Sequence, residues 1–260
     1  MADTLTQDFP NVQVTHVYDK GLPGFAAKMT VEDAAAMAHS DMVDYIEQDG
    51  KVKAYVDSWG LDRIDQRDMP LDYTFSPFAD GSGVHAYIID TGIRTTHSDF
   101  GGRAIWGTNT SGDGINADCD GHGTHVAGTV GGTNYGVAKA VTLVAVKVLD
   151  CDGYGSYAGV INGVNWVAGH ANGKKATANL SLGGPVSEAL NTAVNNLHQG
   201  GVPTVVAAGN DMDDACLYSP ASADKALTIG STDDWDWTSW FSNQGKCVDM
   251  FAPGSSITAP

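Results

Sequence analysis

The sequence predicts an α/β protein with a doubly wound, mostly parallel sheet, preceded by a small, partial α+β segment. Three observations carry that expectation. From residue 84 onward, short apolar runs alternate with helical patterns. The runs are apolar at nearly every position, as in Val84-His85-Ala86-Tyr87-Ile88-Ile89, rather than at every second one. Several of them end in a polar residue beside glycine, as in Asp90-Thr91-Gly92 and Gly209-Asn210. A strand covered on both faces needs apolar side chains on both. Strand–helix alternation then implies parallel pairing through right-handed crossovers.

Taken in order, Val12–Val17 alternates apolar and polar residues and reads as a strand. A turn at Gly21–Gly24 leads to a second strand over Phe25–Met29. Thr30, with Asp33 three residues on, opens a helix through Ala38. Val43–Glu47 reads as a further strand, and Lys51–Trp59 as a linker or processing region. A piece of about 50 residues is marginal for independent folding and is expected to lean on the larger part of the chain. In that larger part, strands are expected over Val84–Asp90, Val141–Leu149, Ala176–Leu182, Val202–Ala208, Ala226–Gly230 and Val248–Phe251. Helices are expected from His122 to about Gly131, over Tyr157–His170, and after Ser187, where Leu190, Ala193, Val194 and Leu197 share one face.

Net charge is −17, which argues against nucleic acid, whose phosphates call for basic patches. No run of about 18 apolar residues is present, so no membrane span is expected. The first residues lack the basic-then-apolar pattern of a signal peptide. Four cysteines, at 119, 151, 216 and 247, allow three connectivities. Two sequential loops closed by disulfides are the simplest reading and imply an oxidising compartment. Four buried free thiols remain the other reading.

Candidate chemistry collects at strand and helix ends. His122 lies between two glycines in Gly121-His122-Gly123-Thr124-His125-Val126-Ala127-Gly128, where a side chain can titrate near neutral pH. Asp90, at a strand's C-terminal end, can orient such a histidine, and Asn210 can offer an amide to a developing oxyanion. Carboxylates and an amide cluster in Asp62-Arg63-Ile64-Asp65-Gln66-Arg67-Asp68, a pattern open to a hard cation or to a capped surface helix. Asp118, Asp120, His122 and His125 could hold a metal, although no H-E-x-x-H is present. No G-x-S-x-G elbow occurs.

Ile89-Asp90-Thr91-Gly92, the glycine-flanked histidine, Ser181-Leu182-Gly183-Gly184, Ala207-Ala208-Gly209-Asn210 and Phe251-Ala252-Pro253-Gly254 together resemble the subtilases. The likeness is to the proteinase K and aqualysin-like branch, over roughly residues 59–260. Residues 12–50 resemble the back half of that family's inhibitor propeptide. The resemblance divides the chain into a partial propeptide with processing linker, residues 1–53, and a peptidase domain, residues 54–260, with cleavage expected between Gly50 and Ser58. It implies a secreted serine endopeptidase acting on polypeptides as a monomer and inhibited intramolecularly by its own propeptide. Asp90 and His122 would be catalytic and Asn210 the oxyanion donor. Gly153-Tyr154-Gly155 and Ser181-Leu182-Gly183 would flank the substrate. The resemblance further implies disulfides Cys119–Cys151 and Cys216–Cys247. It implies structural calcium at Asp249 with carbonyls near Asp224 and Ala226, and at Asp62, Asp65 and Gln66.

One departure stands out. The family's nucleophile lies in a Gly-Thr-Ser-Met-Ala motif after Phe251-Ala252-Pro253-Gly254, and no such motif is found here. Ser255 and Ser256 read as loop. The sequence is therefore expected to be a truncated fragment, inactive as it stands. A non-catalytic, peptide-binding subtilase relative is the alternative.

Overall fold

The computed structural model describes residues 5–7, 9–54, 59–72 and 74–260. In chain order its first elements are β1 (Gln13–Tyr18), β2 (Gly24–Lys28), α1 (Val31–Met37), β3 (Lys51–Ala54) and α2 (Gly60–Ile64). They are followed by β4 (His85–Asp90), β5 (Ala104–Asn109), α3 (His122–Gly131), β6 (Thr142–Lys147), β7 (Tyr154–Ser156) and α4 (Tyr157–His170). The remainder comprises β8 (Ala176–Leu180), β9 (Leu182–Pro185), α5 (Glu188–Gln199), β10 (Thr204–Ala207), β11 (Tyr218–Ser219), β12 (Leu227–Thr232) and β13 (Met250–Pro253).

Seven strands form one sheet in the order β5-β6-β4-β8-β10-β12-β13, with every neighbouring pair parallel. The continuous apolar run of β4 has its physical reason here. Tyr87 and Ile89 pack with Val144, Val146 and helices α4 and α5 on one face. Ala86 and Ile88 pack with Leu143, Ala145 and Val126 and Ala127 of α3 on the other. Both faces are apolar because helices cover both, which brings the strand ends to one rim.

A second, four-stranded sheet runs β11-β9-β3-β7 and is antiparallel throughout. The expected run Ala176–Leu182 divides here. Its first part is β8 of the main sheet, and after Ser181 the chain continues as β9 in the small one. The Lys51–Trp59 linker is corrected in its first part, because Lys51–Ala54 is β3, between β7 and β9. Residues 55–58 of the expected processing stretch lie outside the described residues.

The expected strand over Val43–Glu47 is also corrected: this stretch is irregular. Side-chain oxygens fix it to helix ends instead. Glu47 accepts from the Ser187 hydroxyl and, at 3.1 Å, from Ala189 N at the start of α5. Asp49 Oδ1 accepts from Ala158 N (2.9 Å) at the start of α4. Unpaired N–H groups at a helix N-terminus favour such carboxylates. The N-terminal segment is held at further points as well. Asn165 Oδ1 accepts from Lys20 N (2.7 Å) and Gly21 N (2.9 Å), and Tyr18 donates its hydroxyl to Ala158 O (2.9 Å). A Glu47→Ala change is expected to cost about 1 kcal/mol of this hold. Hydrogen exchange at Ala189 and Leu190 should then run about fivefold faster; unchanged exchange would show that Glu47 does not cap α5.

Both expected disulfides are present, Cys119–Cys151 and Cys216–Cys247. Thr30 caps α1 as expected, its hydroxyl accepting from Asp33 N at 3.1 Å.

Candidate active site

Asp90 ends β4 fully buried, and His122 begins α3 almost as deeply. Asp90 Oδ1 accepts from His122 Nδ1 at 2.6 Å and from Thr91 N at 2.7 Å. Glycine makes this approach possible. A side chain on Gly123 would place its Cβ 2.1 Å from Gly92 O, so α3 could not start this close to the end of β4. Asp118 fastens the connecting loop. Its Oδ1 accepts from Thr91 Oγ1 (2.9 Å) and Gly121 N (2.8 Å), and its Oδ2 accepts from Thr124 N (2.8 Å) and from the Thr124 hydroxyl.

With Nδ1–H directed at Asp90, the neutral imidazole keeps its lone pair on Nε2, where it can take a proton. Burial works against the imidazolium. The charge and hydrogen bond of Asp90, with Asp120 and Asp118 beyond, outweigh that and raise the His122 pKa above its ordinary 6.5. A raised folded pKa means that folding favours the protonated form. The resulting stability is complete below about pH 6.5 and is lost as pH rises through the raised value. An NMR titration of the His122 ring should accordingly give a midpoint above 6.5. A midpoint at or below 6.5 would show that burial dominates.

Asn210 follows β10 and lines a groove of about 360 Å³ that also receives Ser181 and, from the same helix as His122, His125. Its loop is shaped by a residue without any motif signal. Fully buried Asn243 donates from Nδ2 to Ala208 O (3.0 Å) and accepts on Oδ1 from Asp211 N (2.9 Å) and Asp213 N (3.0 Å). Asp90 and His122 are thus in direct contact, whereas Asn210 shares a groove with His125 of α3. Ser255 and Ser256 lie in a bend, Ser255 sharing a 2.7 Å hydrogen bond with Ser239.

The expected substrate-flanking residues face a strand. Val52 and Lys53 of β3 stand opposite Gly155 and Tyr154 of β7, and Lys53 and Ala54 stand opposite Gly183 and Leu182 of β9. Gly153 precedes β7 and Ser181 precedes β9. β3 is therefore held by main-chain pairing on both sides, a mode that is tolerant of side-chain identity.

The metal-hydrolase reading fails on the donor set. Both Asp118 oxygens serve the loop, His122 Nδ1 faces Asp90, and Asp120 Oδ1 accepts from His122 N (2.9 Å). Among the described residues, the one group of His, Cys, Asp or Glu with metal spacing is Asp113, Cys119 and Cys151, two of which are joined in a disulfide.

For calcium, the set around Asp62 fits. The Asp72 carboxyl is held below its ordinary range by hydrogen bonds from the Thr74 hydroxyl and backbone N–H. Asp65 Oδ2 accepts from Ser76 N (2.6 Å), and Gln66 Oε1 accepts from Asp72 N (3.1 Å), so both fold the same oxygen-rich loop. At the other set, Asp224 turns its carboxylate to Asn195 and Lys225, leaving backbone carbonyls near Asp224 and Ala226 for the role. Asp249 Oδ2 accepts from Thr228 N (2.8 Å).

A buried Asp–His pair at the ends of a parallel strand and a glycine-rich helix, beside a strand-binding cleft, is the site of a subtilisin-like fold. The chain belongs to the subtilase family, whose model matches residues 81–259, and the model for peptidase inhibitor I9 matches residues 2–55. The extracellular serine proteinase of Thermus sp. (strain Rt41A) is 49% identical over 259 residues, which are 98% of this chain and 63% of that protein. Alkaline serine exoprotease A of Vibrio alginolyticus is 50% identical over 258 residues, 95% of this chain and 48% of that protein. The chain therefore spans less than two thirds of either relative. A crystal structure of a cold adapted subtilisin-like serine proteinase superposes with a TM-score of 0.74 at 51% identity, covering 78% of this chain and 74% of its own.

Proposed function

We propose that the chain supplies the acid–base half and the substrate cleft of a secreted serine endopeptidase, together with its inhibitory propeptide. The observation that carries this reading is the 2.6 Å contact of Asp90 Oδ1 with His122 Nδ1 in a buried setting. His122 takes the proton of a serine hydroxyl as its oxygen attacks the scissile carbonyl. Asp90 stabilises the imidazolium, which then protonates the departing amine so that the C–N bond breaks. Water, deprotonated by the same imidazole, releases the acyl group. Asn210 donates to the oxyanion.

The substrate is an extended polypeptide added as a strand between β7 and β9, and β3 stands for it within this chain. Residues 1–53 act as the inhibitor and residues 54–260 as the peptidase part, with processing between Gly50 and Ser58. The two disulfides and the name of the extracellular Thermus relative support export. Among the described residues no helix is long and apolar enough to cross a membrane. The mature enzyme works as a monomer.

No Gly-Thr-Ser-Met-Ala motif occurs in these 260 residues, so they are expected to give no amidase turnover by themselves. A chain extended beyond Pro260 through such a segment is expected to hydrolyse peptides and to be blocked by a serine-directed inhibitor. Turnover by the 260-residue chain itself would overturn the assignment of roles.

Calcium is proposed to be structural. At the first site, Asp62 with Asp65 and Gln66 would hold it; at the second, Asp249 with the carbonyls near Asp224 and Ala226. When bound, it would neutralise carboxylates and fasten loops. Removing divalent ions with a chelator is expected to lower the Tm, and added calcium to restore it. An unchanged Tm would exclude a structural role for calcium.

A further inference from the structure

The end of β6 carries a residue that neither the core nor the proposed chemistry explains. Lys147 is fully buried, in a strand whose preceding residues Leu143, Val144, Ala145 and Val146 are apolar and equally buried. Burying an ammonium group is costly unless its hydrogen bonds are satisfied, and an apolar residue would fill the space at less cost. One acceptor it reaches belongs to the peptide that follows Asp90. Lys147 Nζ donates to Thr91 O at 2.9 Å and pairs with Asp113 Oδ2 at 3.2 Å. Cys119 Sγ lies 3.9 Å away. Parallel pairing places Lys147 directly opposite Asp90.

Thr91 is the residue through which position can be passed on. Its N–H donates to Asp90 Oδ1, and its hydroxyl donates to Asp118 and accepts from Gly123 N (2.9 Å). Its carbonyl belongs to the peptide that reverses the chain into Gly92, at φ 112°. Among the described residues the Asp90 carboxylate is oriented through Oδ1, which accepts from both His122 Nδ1 and Thr91 N. Asp113 is in turn fixed, with Oδ1 accepting from Asn109 Nδ2 (2.9 Å) and Ile115 N (2.8 Å). The Cys119–Cys151 bridge lies against the pair, with Cys151 Sγ 3.8 Å from Asp113 Oδ2.

We infer that Lys147, anchored by Asp113, is a positioning residue: by holding the Thr91 carbonyl it fixes the Asp90 carboxylate on His122 Nδ1. This rests on the proposed role of the Asp90–His122 pair. A cation at the end of the neighbouring strand grips the peptide after Asp90. Asp113 supplies the counter-charge to the buried ammonium group, 3.2 Å away. Burial alone would push the Asp113 carboxyl up, but its hydrogen bonds from Asn109, Ile115, Ser111 and Lys147 hold it below the usual range.

The test reads the His122 Nδ1–H proton by NMR in the 260-residue chain. A proton held between imidazole and carboxylate resonates far downfield and exchanges slowly with water. Three variants are compared: Lys147→Arg, Lys147→Met, and the double variant Lys147→Met/Asp113→Leu, which leaves no lone buried charge. The expected result is a retained resonance in Lys147→Arg. In both methionine variants it should be lost, or exchange at least about tenfold faster, while the backbone spectrum of the sheet is preserved. An unchanged resonance in the double variant would overturn the positioning role and leave Lys147 as a space-filler. Unfolding of both methionine variants beside a folded Lys147→Arg would also overturn it, making Lys147 a stability residue. If the unsubstituted chain shows no such proton, the Asp90–His122 contact fails first and the positioning role with it. Peptide hydrolysis by the extended chain is scored separately and so distinguishes failure of the proposed function from failure of this inference.

Discussion

Replacing Asp90 by asparagine is expected to lower kcat about 10⁴-fold in a chain extended through a serine-bearing segment. Asparagine fits the same space, but its amide cannot stabilise an imidazolium, and it can donate to Nδ1, which favours the wrong tautomer. Asp90 Oδ1 accepts both from His122 Nδ1 and from Thr91 N. The substitution therefore leaves the turn largely in place and removes the charge. In free-energy terms the loss is about 5 kcal/mol of transition-state stabilisation. KM should change little, because the proposed substrate-binding edges of β7 and β9 do not include Asp90. Steady-state kinetics against a peptide amide reads both values. A loss of less than about tenfold would mean that His122 is oriented by something other than Asp90.

The second large effect concerns stability. Removing the Cys119–Cys151 bridge, which closes a separation of 32 residues, is expected to cost about 4 kcal/mol. Cys216–Cys247 closes 31 residues, and the entropy regained by the unfolded chain gives a similar figure. The consequences differ because the surroundings differ. Cys119 and Cys151 adjoin Lys147 and Asp113, so their loss should also loosen the loop that carries Asp118 and Asp120 into His122. Cys216 lies in the short 3₁₀ turn Ala215–Leu217 just before β11, and its bridge to Cys247 has no hydrogen bond to Lys147 or Asp113 among the described residues. Chemical denaturation of the Cys119→Ser/Cys151→Ser and Cys216→Ser/Cys247→Ser pairs should show comparable stability losses. Only the first pair should also disturb the His122 ring signals. Equal disturbance by both would contradict the local coupling.

The parts of this arrangement that the sequence revealed are those where one local requirement dominates. β4 is apolar at nearly every position because helices cover both its faces, and nothing competes with that pattern. The histidine is flanked by glycines because the start of α3 touches Gly92, a steric demand that leaves a signature in the chain. Val43–Glu47 misled because its apolar residues imitate a strand, yet Tyr45 and Ile46 are exposed and the segment is fixed by Glu47 and Asp49 at helix ends. Carboxylates that cap a helix more than a hundred residues away have no periodicity. β5 went unread because it is an edge strand: Ile105 is exposed, and Gly107 is needed where a Cβ would sit 2.6 Å from Ala145 O. β3 pairs through its backbone, which leaves no pattern of residue types along the chain. Asn243 and Lys147 act through contacts remote in sequence and became visible only once the strands were in register.

That Asp90 and His122 form the acid–base pair of a serine peptidase can be put to a single kinetic measurement. The chain is extended through a Gly-Thr-Ser-Met-Ala segment, and peptide hydrolysis is measured with and without His122→Ala. The expected result is inhibitor-sensitive turnover that His122→Ala reduces by about 10³-fold or more. Its acidic limb should lie above pH 6.5, as the raised His122 pKa requires. Turnover that is insensitive to His122→Ala would contradict the assignment.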